Sequence, residues 1–224
     1  MMSMSLRTTN DILDAIEHLP SGATLVVTQC GWDDYERLLT DLVERPGLRV
    51  NYDCGRLEIV SPGSEHGKYE RLIEDLVTTA CHALRVRLEK RGNATWKKRS
   101  ISKGVEGDAS YYIENAKRVV GKLNIDLESD PPPDIVVEID VTSDSLHKLP
   151  TYAALAVPEI WRYDGRNCRF YQLIEGAYAE TPASRFLPGL TGQMLADAID
   201  LSNTRGQDEA RGAFRRKLRN QMRK

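Results

Sequence analysis

The apolar positions of this chain change period several times, and each change marks an element. Over residues 9–18 the side chains Ile12, Leu13 and Ile16 fall at helical spacing, as do Tyr35, Leu38, Leu39, Leu42 and Val43 over residues 32–45. The triplet RPG at 45–47 stops the second helix. Residues 48–61, LRVNYDCGRLEIVS, read as a hairpin turning at Asp53, Cys54 and Gly55. Pro62, Gly63 and Ser64 break the strand, and Ser64 is placed to cap a helix expected to run to about residue 91. Its apolar face is Leu72, Ile73, Leu76, Val77, Ala80, Leu84 and Leu88.

A basic strand is expected near 94–102, followed by a strand carrying Asp108 in GVEGDASYYI. Residues 121–133 form a polar loop, whose three final prolines keep the chain extended into the strand 134–142. The run Ile135, Val136, Val137 implies burial on both faces of a sheet. A helix over 144–156, capped by Ser143 or Asp144, comes next. Strands at 159–164, 168–174 and 177–181 follow, then Pro188 and Gly189, short helices and a basic tail. The pattern predicts an α/β fold with a central mixed sheet flanked by helices. One domain with N-terminal helices is expected over residues 1–205, and a basic helical tail over 206–224.

Composition adds bounds. At 224 residues, 41% apolar and 29% charged, the chain can bury one sizeable core. It has no apolar run of bilayer length, and its N-terminus lacks a signal-peptide core, so no membrane association is expected. Four cysteines without a CxxC pair argue against structural zinc and a disulfide framework, and for a reduced, cytoplasmic protein. The net charge of −2 hides an asymmetry: residues 85–103 and 211–224 each carry +7, leaving −16 on the rest. Such stretches are commonly solvated faces, but two of them in a chain with an acidic site tilt the reading toward a polyanionic substrate.

The candidate chemistry lies between residues 104 and 148. Asp108, Glu138 and Asp140 sit in or beside runs with the composition of buried strands, where a carboxylate must be paired or hold a metal. Glu138 and Asp140 alternate to the same strand face. Oxygen ligands of this kind suit Mg²⁺ or Mn²⁺, and Lys148 could steady charge on a phosphoryl group. The competing reading makes the acids solvent-facing strand ends and Lys148 an exposed helix residue. Spacing alone does not exclude it.

Four stretches in order carry a resemblance: YDCGRLEIVSPGSEHG at 52–67, GVEGDASYYI at 104–113, PPPDIVVEIDVTS at 131–143 and KLPTYAALAVPEIWRYDG at 148–165. Together they resemble the PD-(D/E)XK nuclease superfamily, with its restriction-endonuclease-like fold, and within it the bacterial Uma-two endonuclease family. The resemblance spans roughly residues 20–185.

The resemblance implies a Mg²⁺- or Mn²⁺-dependent endonuclease acting on DNA phosphodiesters, working as a homodimer. It makes Asp108 and Glu138 metal ligands, with the backbone carbonyl of Ile139 as a third. The superfamily places its lysine two residues after the glutamate, where this chain has Asp140, and the family's pattern points instead to Lys148. His66, in the SPxxxxH-like segment, would line the site, with Glu70 four residues on along the same helix face. Glu106 is a further candidate on the Asp108 strand, while His18, His82 and His147 look peripheral. Gly107 stands where the family usually has proline. The alternative is a nuclease-like fold retained as a DNA- or partner-binding module without catalysis.

Overall fold

The computed structural model describes residues 9–42, 47–61, 63, 66–141 and 144–221. Its first helices, α1 (Thr9–Glu17) and α2 (Trp32–Asp41), turn their apolar stripes onto one sheet. Ile12, Ile16, Leu38 and Leu42 pack there with Val27, Tyr52, Leu57 and Ile59. The apolar surface of these helices is therefore spent within the chain. The sheet itself is antiparallel, in the order β1-β3-β2-β6-β5. Its strands are β1 (Thr24–Val27), β2 (Arg49–Asp53), β3 (Arg56–Val60), β5 (Thr95–Lys98) and β6 (Lys103–Glu106). The β2–β3 hairpin turns where the sequence expected it, with Cys54 and Gly55 both at positive φ.

Helix α3 (His66–Leu84) ends earlier than the apolar spacing suggested. Arg85 adopts φ +58°, and the N–H groups of Arg85 and Val86 return to the carbonyls of His82 and Cys81. This is a Schellman ending with arginine in the position usually held by glycine. Leu88 keeps its core contact from extended chain, which is why the apolar spacing ran on past the helix. The following β4 (Glu89–Lys90) pairs with β7 (Ala109–Tyr112) at the edge of the second sheet. The cap expected at Ser64 lies outside the described residues.

The second sheet has the order β11-β10-β9-β8-β7-β4 and is mixed, with β8 parallel to β9 and its other pairs antiparallel. After the short α4 (Ala116–Val119) come β8 (Ile135–Ile139), α5 (Leu149–Ala154), β9 (Glu159–Tyr163), β10 (Cys168–Ile174) and β11 (Ala177–Thr181). The expected helix over 144–156 is broken: a 3-10 turn, Leu146–Lys148, precedes α5. Helices α3, α6 (Gly192–Arg205) and α7 (Gln207–Gln221) cover one face, over Val137, Ile139, Trp161 and Phe170. The other face, with Val136 and Ile160, packs against Tyr152 and Leu155 of the α5 segment. As the sequence implied, β8 is buried on both sides.

The basic tail becomes α7, which buries Ala210, Phe214 and Leu218 and leaves Arg215, Arg216 and Arg219 exposed. Part of the other basic stretch is paired: Lys90 with Glu74, Lys97 with Glu36, Arg99 with Asp33 and Glu36, and Lys103 with Asp53. No described helix is long and apolar enough to cross a membrane.

Candidate active site

The chain passes from the first sheet to the second at Gly107 and Asp108, between β6 and β7. Asp108 therefore belongs to neither strand. Glu106, expected beside it on one strand face, ends β6 and borders a different cavity, where its carboxylate accepts from Val50 N (3.1 Å) and from Thr95. Gly107 is required by packing. A Cβ there would lie 2.4 Å from Val136 Cγ1 and 3.0 Å from the Tyr152 hydroxyl. Gly107→Ala is expected to cost about 1–3 kcal/mol, the range for overpacking a core, and to displace Tyr152. Urea unfolding measures this, and wild-type stability in the variant would contradict the packing argument. Proline, which also carries a Cβ, meets the same obstruction.

Beyond Gly107, Asp108 and the end of β8 share a cavity of about 360 Å³, also lined by Arg49, Glu58, His66, Asp140, His147 and Lys148. The Asp108 N–H donates to the Val137 carbonyl (2.9 Å), which extends the β7–β8 register to the acid. Its carboxylate accepts from Ile139 N (2.7 Å) and from Arg49 Nε (3.4 Å), and lies 3.0 Å from His66 Nε2. Burial alone would raise its pKa, but the His66 hydrogen bond and the charges of His66, Lys148 and Arg49 hold it below the usual value.

Glu138 points to the α5 face of β8. It is 2% exposed and accepts from Lys148 Nζ (2.9 Å) and the Tyr152 hydroxyl. Burial pushes its carboxyl up to about 7, with Asp108 adding to the rise against the opposing pull of Lys148. Lys148 was open to being an exposed helix residue. Its side chain is instead only 11% exposed, and it also donates to the Glu106 carbonyl (3.3 Å). Burial would lower its pKa, yet the Glu138 and Asp108 carboxylates outweigh that and raise it.

The remaining candidates fall into outer positions. Glu70 is half-buried behind Arg49, 3.7 Å from its guanidinium, and does not line the cavity. Asp140 does line it, but is committed to structure: it accepts from Arg162 Nε (2.7 Å) and from the Ser145 N–H and hydroxyl (both 3.1 Å). Those bonds fix the turn that returns Lys148 toward Glu138. His147, expected to be peripheral, borders the cavity 2.8 Å from Glu58.

Sequence reasoning missed Arg49, Tyr152 and Glu58. Tyr152 had a signal, lying one helical turn after Lys148. Arg49 and Glu58 reach the site only because the first sheet forms the opposite wall.

The donor chemistry of Asp108 and Glu138, hard oxygen on neighbouring segments, fits Mg²⁺ or Mn²⁺. Both carboxylates already hold internal partners, and among the described residues no group of three His, Cys, Asp or Glu side chains is arranged to hold a metal ion.

The model of the Uma2 family, described as "Putative restriction endonuclease", matches residues 32–202. No curated protein matches. Among solved structures, a putative nuclease from Anabaena variabilis ATCC 29413 is similar at 13% identity and a TM-score of 0.48, over 86% of this chain and 98% of that one.

Proposed function

Since this chain belongs to the Uma2 family, we propose that it is a metal-dependent endonuclease that hydrolyses DNA phosphodiester bonds at the cavity holding Asp108, Glu138 and Lys148. The observation that carries this reading is the company Glu138 keeps. A carboxyl only 2% exposed, raised to about 7 and set beside both a second acid and a largely enclosed ammonium costs folding energy, and such arrangements cluster at functional sites.

In this reading Asp108 and Glu138 would hold the ion, with the Ile139 carbonyl as a further oxygen. A divalent ion there supplies positive charge against the phosphoryl oxygens and acidifies water. Lys148 brings a fixed ammonium to the face of the phosphate, where it stabilises the charge that builds as the water oxygen adds to phosphorus and the P–O bond to the leaving nucleotide breaks. Asp140 holds the turn that delivers Lys148. Arg49 and His66 orient Asp108 and would share its carboxylate with an ion held there. The exposed arginines of α7 offer a weaker, sequence-independent attraction for the duplex.

A second reading has one observation in its favour. Both carboxylates already accept hydrogen bonds from the protein itself, Asp108 from the Ile139 N–H and Glu138 from Lys148 and Tyr152, so folding alone gives them partners. That would suit a nuclease-like module that binds DNA or a partner without cutting. Calorimetric titration with Mn²⁺ separates the two. The enzyme reading expects saturable binding by the wild type, lost in Asp108→Asn and weakened in Glu138→Gln. No binding by the folded wild type would leave the non-catalytic module as the better account.

A further inference from the structure

Glu58 is another buried carboxylate in the cavity wall, and nothing in the proposed hydrolysis uses it. It lies on β3 with its side chain 7% exposed, accepting from Arg56 Nη1 (2.9 Å) and, more weakly, from Asn51 Nδ2 (3.5 Å). His147 approaches it from the opposite wall, with Nε2 at 2.8 Å from Glu58 Oε1. The pair thus ties the first sheet to the turn that carries Lys148. It also stands on a boundary. A second cavity, of about 370 Å³, is lined by Asn51, Asp53 and Thr151, and shares Arg56, Glu58, His147 and Lys148 with the first. A nucleic-acid strand with one phosphate before Asp108 and Glu138 would cross this shared wall to reach the second cavity.

We propose that His147 is a phosphate-contacting residue of this site, oriented by Glu58 and engaging the phosphate next to the one that is cleaved. The inference rests on the nuclease reading above. Its support is the position of His147 on the wall shared by the two cavities, held there by Glu58. Around His147 stand Arg56 and Glu58 of β3, Asp53 of β2, and Asp144 and Lys148 of its own segment. Lys148 is committed to Glu138 and Asp53 to Lys103, while Asp144 (2.8 Å) and Asp140 share Arg162. Arg56 already pairs with Glu58, so that acid does not need His147 to neutralise it. About half of the His147 side chain is exposed, so an anion can reach it. The hydrogen bond to Glu58 raises its pKa above the ordinary 6.5, with burial opposing. The charge is therefore held to higher pH than on a free imidazole and is lost as pH rises further.

The test is DNA binding with cleavage blocked by a chelator, read by fluorescence anisotropy of a labelled duplex at constant ionic strength, from about pH 6 to about pH 8.5. Wild-type affinity should fall about five- to tenfold across that range, the scale of one phosphate contact of roughly 1–1.4 kcal/mol. His147→Gln should bind weakly and His147→Arg tightly, each keeping only the fall that ionisation of Glu138, raised to about 7, imposes on every variant. Glu58→Gln should move the fall to lower pH. Because Glu58 is buried, that variant risks misfolding, and the half-exposed His147 variants decide the matter alone, with unfolding midpoints as the check. A wild-type pH profile in His147→Gln, or no gain from arginine over glutamine, makes the pair a structural ion bridge only and overturns the proposal. DNA cleavage that is indifferent to His147 overturns this inference and leaves the nuclease reading standing. A wild type that neither binds nor cleaves DNA overturns both.

Discussion

Replacing Asp108 or Glu138 is expected to remove DNA cleavage, by at least about a thousandfold if the two acids hold the ion on which charge stabilisation depends. The choice of variant matters, because both side chains are also structural. Glu138→Ala would strand the buried ammonium of Lys148, and breaking a buried pair costs about 3–5 kcal/mol, enough to unfold a marginal domain. Glu138→Gln keeps the volume and can still accept from Tyr152. Asp108→Asn likewise keeps an oxygen for the Ile139 N–H. Plasmid nicking by these folded variants, beside their urea midpoints, separates lost chemistry from lost structure. A Glu138→Gln protein that cuts at the wild-type rate would remove Glu138 from the site.

Lys148→Ala should behave differently. Its turnover is expected to fall on the order of a hundredfold or more, the usual scale for losing a charge-stabilising donor, while Mn²⁺ binding is retained. The physical reason lies in the 2.9 Å contact with Glu138: the ammonium competes with an incoming cation for the same carboxylate, so its removal takes away a rival. Lys148→Met, which keeps the stem and loses the charge, should share the defect and fold better. Parallel single-turnover cleavage and Mn²⁺ calorimetry check the split. Cleavage by Lys148→Ala at the wild-type rate would show that the lysine serves packing alone.

Much of this was legible in the sequence, for identifiable reasons. The run Ile135–Val137 gave the doubly buried strand, because only a sheet centre accommodates apolar residues on both faces. The turn at Cys54 and Gly55 gave the hairpin. The two acids were visible because charge inside such runs needs a cause. What was hidden depended on long-range geometry. The break between the two sheets falls at a single glycine, so Glu106 and Asp108 looked like one strand face when the chain in fact changes sheet between them. The end of α3 was hidden by Leu88, which meets the same core from extended chain. The basic stretch over 85–103 looked free because its acidic partners, Asp33, Glu36 and Asp53, are distant in sequence. His147 was set aside as peripheral because Glu58, which orients it, lies 89 positions away.

The central claim is that this cavity cuts DNA with a divalent ion, and one measurement addresses it most directly. Purified wild type is incubated with supercoiled plasmid in Mg²⁺, in Mn²⁺ and in excess chelator, with Asp108→Asn prepared identically as the control for contaminating nuclease. The account expects nicked and linear products with either metal, none with chelator, and none from Asp108→Asn. No cleavage by folded wild type in either metal, or cleavage that survives the chelator, would contradict it.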